Sequence, residues 1–221
     1  GATPGLYGGT RNAAVCDADQ LVAFLAANPD KAEAWAGVVG TTPEGIGAYV
    51  ATLTPVVLTR DTRVTNHGYR NGKATTIPAV LQAGTAVLVD RFGVPRVKCG
   101  CGNPLSEPAP VTSATRYVGT RWAGFSETTI VVVTVTVQVE VFVLVDVDTD
   151  GLYTRPPGSD GSDDGTLAVD ELGALFPDAP ACVEESTTTT TTTAPPETLP
   201  PATAPPVTHT PQTQPPTTGD D

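Results

Sequence analysis

The first third of the chain repeats a pattern typical of short helices. Asp17 and a glutamine three residues later form a capping box ahead of the apolar residues of "LVAFL", which predicts a first helix. The segments "NPDKAEAWAGVV" and "TPEGIGAYVATL" each begin with a capping residue followed by proline, the usual start of a helix. We therefore expect three short helices over about residues 17–53.

From about residue 56 the pattern changes to short strands and turns. "TAVLV" and "VPRVKC" flank a turn and predict a hairpin, whereas "PAVLQAG" predicts a brief helix. Valine occupies every odd position from 131 to 147, which predicts one long strand with a partly solvated even face. The expected fold class is α+β, with N-terminal short helices packed on a small, mainly antiparallel sheet at about 56–148.

Composition divides the chain near residue 186. Residues 186–221 are rich in threonine and proline and have few apolar side chains, so they cannot offset an ordering entropy of roughly 1–2 kcal/mol per residue. We expect a disordered stalk or linker there, of a kind often O-glycosylated. Residues 1–185 are then a single α+β domain, with an acidic loop and short helix at about 149–185.

The net charge of −12 is concentrated near the C-terminal end. Residues 1–145 carry 11 Lys and Arg against 10 Asp and Glu, whereas residues 146–221 carry one Arg against 14 acids. This distribution argues against nucleic-acid binding, which needs clustered cations. We interpret the basic group of Arg60, Arg63, Arg70 and Lys73 as a solvated loop face. No apolar run reaches eighteen residues, so no membrane span is expected.

Four cysteines, Cys16, Cys99, Cys101 and Cys182, are candidates for two disulfides. A bond between Cys99 and Cys101 would close a strained small ring, which leaves two pairings, each linking the "CGC" element to both other cysteines. An even count beside a Thr/Pro stalk predicts an extracytoplasmic location. The alternative is zinc held by Cys16, Cys99, Cys101 and His67, but the C-x-C spacing is tighter than structural zinc sites prefer.

The acidic stretch "DGSDDGTLAVDE" has the spacing of an EF-hand-type calcium loop. Its candidate ligands are Asp160, Ser162, Asp164, the Thr166 carbonyl and Glu171. The preceding Pro-Pro-Gly is incompatible with the incoming helix of an EF-hand. Calcium is therefore one possible cofactor, and the alternative is an acidic loop that contacts only solvent.

Several segments together resemble an actinobacterial domain family of unknown function. They are "CDADQLVAFL", "LTPVVLTRDTRVTNHGY", "LQAGTAVLVDRFGVPRVKCGCGNPL" and "FVLVDVDTDGLYTRPPGSDG". The resemblance spans roughly residues 7–161 and implies a secreted or envelope-anchored protein, sometimes alongside a kinase or a membrane anchor. It implies no catalytic residues.

Catalytic motifs give little support for an enzyme. His67 is the only histidine before the tail, and no nucleophile elbow, zinc-protease or phosphate-loop motif occurs. The leading hypothesis is a non-catalytic extracytoplasmic binding or structural module on a Thr/Pro stalk. It would be a monomer that contacts an unknown envelope or extracellular ligand. The alternatives are a calcium-binding module and an envelope hydrolase that uses scattered acidic residues.

Overall fold

The computed structural model describes residues 1–112, 115–135 and 137–168, all of which belong to the compact unit Gly1–Ala179. Three predictions lie outside the described residues: the short helix after residue 168, the pairing of Cys182, and the stalk at 186–221. Within the described ranges, no helix has the length and apolar character needed to cross a lipid bilayer.

The three predicted N-terminal helices are confirmed. Asp17 caps the first helix, its Oδ1 accepting a hydrogen bond of 2.8 Å from the backbone N–H of Gln20. Gly40 ends the second in a left-handed conformation, with φ of 77°, that glycine adopts without strain. The third begins as a single 3₁₀ turn. The bounds are α1 Ala18–Ala26, α2 Pro29–Val39, the 3₁₀ helix Pro43–Gly45 and α3 Ile46–Val50.

The strands form one ten-stranded sheet in the order β12-β11-β10-β1-β2-β7-β8-β9-β3-β6, with β4 and β5 as a separate hairpin. β1 pairs with β10 in parallel, and the other pairings between these strands are antiparallel. The sheet is therefore mainly antiparallel, as predicted, but it is larger than predicted. The strands are β1 Tyr7–Gly9, β2 Thr54–Leu58, β3 Thr62–Asn66, β4 Tyr69–Arg70, β5 Lys73–Ala74, β6 Ile77–Leu81, β7 Ala86–Val89, β8 Pro95–Lys98, β9 Asn103–Ser106, β10 Phe142–Asp146, β11 Leu152–Arg155 and β12 Gly165–Thr166.

Side chains on alternate positions of the central strands enter two different cores. Leu88 of β7 packs with the helices around Trp35, whereas Val87 and Val89 pack in the second core on the opposite face. That second core also contains Val64 of β3 and Tyr153 of β11, which lie toward opposite ends of the strand order. The sheet must therefore curl around this second core, while the helices cover the opposite face of the sheet.

The brief helix predicted at "PAVLQAG" is wrong, because this segment forms most of β6. All five residues of β6 pair with β3, and the strand lies at the edge of the sheet. An edge strand tolerates the missing backbone N–H of Pro78. Pairing with β3 therefore overrides the local signal for a helix.

The long valine strand is confirmed only at its end, as β10. In the described part of residues 130–141, the structure records one isolated parallel bridge, between Val131 and Thr62. This segment leads from β3 to β10, and five strands lie between them in the sheet order, so it cannot stay paired with one neighbour. Val133 and Val139 are buried, but Val137 is 60% exposed.

A disulfide joins Cys16, just before α1, to Cys99, just after β8. It fastens the helical layer to the sheet and is one of the predicted pairings. Since both sulfurs are bonded to each other, they are not available for the alternative zinc site. Cys101 is exposed and has no disulfide partner within the described part of the chain.

Candidate functional site

A pocket of about 180 Å³ lies beside the outer edge of the sheet. Its floor comes from β3 and β6, and its wall is the irregular segment 115–125. We call it the Arg63 pocket. It is lined by Arg63, Pro78, Ala79, Val80, Thr115, Arg116, Tyr117, Val118, Gly119, Thr120, Arg121, Trp122 and Phe125.

The floor of the pocket contains a nearly buried guanidinium group. Arg63 lies on β3 opposite Val80 of β6, and it is only 8% exposed. One of its nitrogens, Nη2, donates a hydrogen bond of 2.8 Å to the carbonyl of Ala109. Within the described ranges no carboxylate forms an ion pair with it. A charged group therefore lines a cavity without a counter-charge from the described protein.

Three half-buried aromatic rings form the wall. The Trp122 and Phe125 ring centroids lie 5.0 Å apart with planes at 83°, and Tyr117 and Phe125 lie 5.9 Å apart at 67°. These edge-to-face contacts stabilise aromatic pairs by about 0.5–1.5 kcal/mol beyond area burial. They hold the rings of an otherwise irregular segment in a defined arrangement.

Asp61, the residue just before β3, fixes this wall to the sheet. Its Oδ2 accepts a hydrogen bond of 3.0 Å from Trp122 Nε1, and its Oδ1 accepts one of 2.9 Å from the backbone N–H of Ala83. Next to it, the Val131 N–H donates to the Asp61 carbonyl, and the Arg63 N–H donates to the Val131 carbonyl. Trp122 of the wall and Val131 beyond it are thus both attached to the chain around Asp61.

Two more arginines lie at the rim. The guanidinium carbon of Arg121 lies 5.4 Å from the Phe125 ring centroid, and Arg121 forms an exposed ion pair of 2.8 Å with Glu127. Arg116 is exposed and has no ion-pair partner among the described residues. The pocket thus has a positive lining in an acidic protein. Such a pocket is suited to hold a flat group against aromatic rings and an anionic group against Arg63.

The interpretation of the basic group as a solvated loop face is wrong for Arg63 and agrees with the exposure of Arg60, Arg70 and Lys73. The side chain of Arg63 is nearly buried and lines a pocket together with residues 115–125, which lie some fifty positions later in the chain. The sequence does contain a signal for this wall, the dipeptides Arg-Tyr and Arg-Trp at 116–117 and 121–122. It escapes notice because no regular element contains it.

The predicted calcium ligands have other contacts in the structure. The Asp160 Oδ1 accepts a hydrogen bond of 3.0 Å from the backbone N–H of Ser162, and this bond lowers the pKa of Asp160. Thr166 belongs to β12, and Glu171 lies outside the described residues. No group of three or more His, Cys, Asp or Glu within the described ranges is placed to hold a metal ion. The calcium loop stays a prediction.

Asp164, the central predicted ligand, forms a buried ion pair with Arg155. Its Oδ1 accepts a hydrogen bond of 2.8 Å from Arg155 Nε, and its Oδ2 accepts one of 2.7 Å from Arg155 Nη2. Both side chains are fully buried. The same guanidinium donates to the carbonyls of Pro55, Thr10 and Ala13. The acidic loop is therefore bound to the N-terminal segment, a structural role that its spacing did not indicate.

His67 contacts a hydroxyl group but has no acidic partner recorded. Its Nε2 lies 2.8 Å from the Oγ of Ser106, and desolvation lowers the pKa of His67 although a bond with the backbone of Thr75 opposes this. Within the described residues no carboxylate is recorded in contact with the ring, so the pair lacks the group that orients histidine in a catalytic triad.

Comparison with known proteins identifies a family without an assigned activity. Neither a search of curated proteins nor a search of solved structures found a match. A family model described as "Domain of unknown function (DUF6777)" matches residues 1–158. The matched range contains the whole Arg63 pocket and ends before the predicted calcium loop at 160–171. Because the match covers well over half of the chain, the protein belongs to the DUF6777 family.

Proposed function

We propose that this protein is a non-catalytic, extracytoplasmic binding module of an actinobacterial envelope or secreted protein, presented on a Thr/Pro stalk at 186–221. The observation that carries the proposal is the Arg63 pocket, with its buried cation and ordered aromatic wall. Binding sites of small molecules and glycan units combine aromatic surface with a few placed polar groups in this way.

The side chains in the pocket favour binding over catalysis. Among the lining residues that the structure describes, none is a His, Cys, Asp or Glu, the usual acids, bases and nucleophiles. Ser106 and His67 are not among the residues that line it. Arginine keeps its proton at all physiological pH values, so it acts here by charge and hydrogen bonding.

The location rests on the Cys16–Cys99 disulfide. Such bonds persist mainly in oxidising compartments, which supports a place outside the cytoplasm. The actinobacterial origin rests on the resemblance of the segments quoted above.

Co-sedimentation with insoluble cell-wall material from an actinobacterium tests the proposal. We expect the full chain to sediment with the wall fraction, and Trp122→Ala to weaken binding at least about tenfold, equivalent to about 1.4 kcal/mol. Phe24→Ala is the matched control, because Phe24 is an aromatic residue that is 49% exposed but does not line the Arg63 pocket. Failure of the wild-type chain to sediment, or equal retention of Trp122→Ala, would contradict the proposal.

A further inference from the structure

We propose that the Arg63 pocket binds a ring-sized group that carries a carboxylate or a phosphate, with Arg63 as its counter-charge. The inference rests on the proposed binding function and names the class of ligand. It follows from three features of the pocket: the unpaired charge on its floor, its size and the sign of its rim.

Among the described residues, two arginines are nearly buried, and only one of them has a recorded carboxylate partner. Arg155 is fully buried and its charge is compensated by both oxygens of Asp164. Arg63 is 8% exposed, yet its recorded side-chain bond goes to the neutral carbonyl of Ala109. Burial of a charge is strongly unfavourable unless an opposite charge offsets it. A ligand anion in the pocket would supply what Asp164 supplies to Arg155.

The geometry of Arg63 is suitable for such an anion. A guanidinium carries five N–H donors, and the structure uses one nitrogen of Arg63 for the bond of 2.8 Å to Ala109. The remaining donors belong to a side chain that lines the cavity. Carboxylates and phosphates accept two parallel bonds from one arginine, which makes them the matching ligands.

The size of the pocket limits what accompanies the anion. An engineered cavity of about 150 Å³ holds one benzene ring, and the Arg63 pocket offers about 180 Å³. One ring therefore fits beside the aromatic wall of Tyr117, Trp122 and Phe125. A longer ligand would extend past Val118, which is 93% exposed at the rim.

The rim favours a negative ligand despite the net charge of −12. Arg116 and Arg121 lie beside the opening, and Glu127 neutralises only Arg121. Asp61, which also contacts the wall, accepts hydrogen bonds from Trp122 and Ala83 through its two carboxylate oxygens. The local charge is thus opposite in sign to that of the whole chain.

Titration of the ¹⁵N-labelled full chain, followed by NMR, tests the inference. The probes are D-glucuronate, D-glucose 6-phosphate and the neutral D-glucose. We expect the two anions to shift the indole N–H signal of Trp122, and D-glucose to bind at least about tenfold more weakly. The indole of Trp35, which donates to the Gly102 carbonyl outside the pocket, is the internal control and should not move.

Two variants of Arg63 distinguish a loss of the positive charge from a loss of folding. Arg63→Met should bind D-glucuronate no better than D-glucose, and Arg63→Lys should keep part of the preference because it retains the charge. An unchanged Trp35 signal in each variant shows that the domain is folded. Arg70→Met, which removes an exposed arginine outside the pocket, should bind as the wild type does.

The outcomes separate this inference from the proposed function. Equal binding of charged and neutral sugars, no binding of either anion, or unchanged anion binding by Arg63→Met would overturn the anion assignment. The wall-binding assay could still succeed in each of these cases. Conversely, anion binding that depends on Arg63, together with no affinity for wall material, would sustain the assignment and overturn the proposed function.

Discussion

Replacing Asp164 by asparagine should sharply destabilise the protein. The exchange keeps the shape of the side chain but removes its negative charge. The fully buried Arg155 is then left with neutral acceptors alone, namely the new amide oxygen and the carbonyls of Pro55, Thr10 and Ala13. Removing one partner of a buried ion pair costs about 3–5 kcal/mol. That loss is a large fraction of the ~5–15 kcal/mol by which native domains are stable.

Urea denaturation of the full chain at pH 7 measures the effect. We expect a lower midpoint with an unchanged slope, and a melting temperature lower by about 10 °C for a domain of this size. Asp163→Asn is the matched control, because Asp163 is the exposed neighbour and its replacement should change stability by no more than about 0.5 kcal/mol.

A double replacement shows how much of the destabilisation comes from leaving the Arg155 charge buried without a partner. Arg155→Met combined with Asp164→Leu removes both charges, but it also leaves the carbonyls of Pro55, Thr10 and Ala13 without this donor. It should therefore recover part of the stability lost in Asp164→Asn. A loss of less than about 1 kcal/mol in Asp164→Asn would refute the reasoning, since the carboxylate would then not compensate the buried guanidinium.

Three further predictions concern single side chains. The Tyr153 hydroxyl is buried without a hydrogen-bond partner among the described residues, and burial raises the pKa of Tyr153 to about 12. Tyr153→Phe should therefore leave the free energy of unfolding unchanged or raise it by about 1 kcal/mol, and a loss above that amount would contradict this. Desolvation lowers the pKa of His67, so its neutral form stabilises the fold fully above the unfolded value of about 6.5, and this contribution is lost as the pH falls through the lower folded value. Denaturation curves should show that His67→Gln lacks this part of the acid-dependent loss of stability, and identical pH profiles would disprove the assignment. The predicted calcium loop requires that millimolar calcium, compared with EDTA, raise the melting temperature of the full chain and that Glu171→Gln abolish the rise; no rise in the wild type would end that hypothesis.

Local signals in the sequence were sufficient for the helices and for one hairpin. Asp17 caps the start of α1 and Gly40 caps the end of α2, and each acts on residues close to it in the sequence. Their roles can therefore be predicted without knowledge of tertiary contacts. The hairpin of β7 and β8 is equally local. The family resemblance was recognisable for the same reason, because it depends on short contiguous segments.

Long-range contacts decided the features that the sequence did not reveal. β6 is a strand because β3 pairs with it, and the valine segment before β10 crosses between strands far apart in the sheet. Asp164 has the spacing of a metal ligand, but its partner is Arg155. Arginine is usually a surface residue, but Arg63 is nearly buried and lines a pocket with segment 115–125. In each case the structure of a residue depends on a partner that is distant in the sequence.

The position of β1 constrains the order in which the chain can reach its final structure. β1 lies between β2 and β10, so Tyr7 pairs with both Leu58 and Leu144. During synthesis the first strand emerges long before its parallel neighbour. The hairpin of β7 and β8 forms from nearby residues, whereas one side of β1 stays unpaired until β10 has appeared. A nascent chain that stops short of residue 142 therefore carries an open, pairing-competent strand edge, and completion of this fold is a late event by construction.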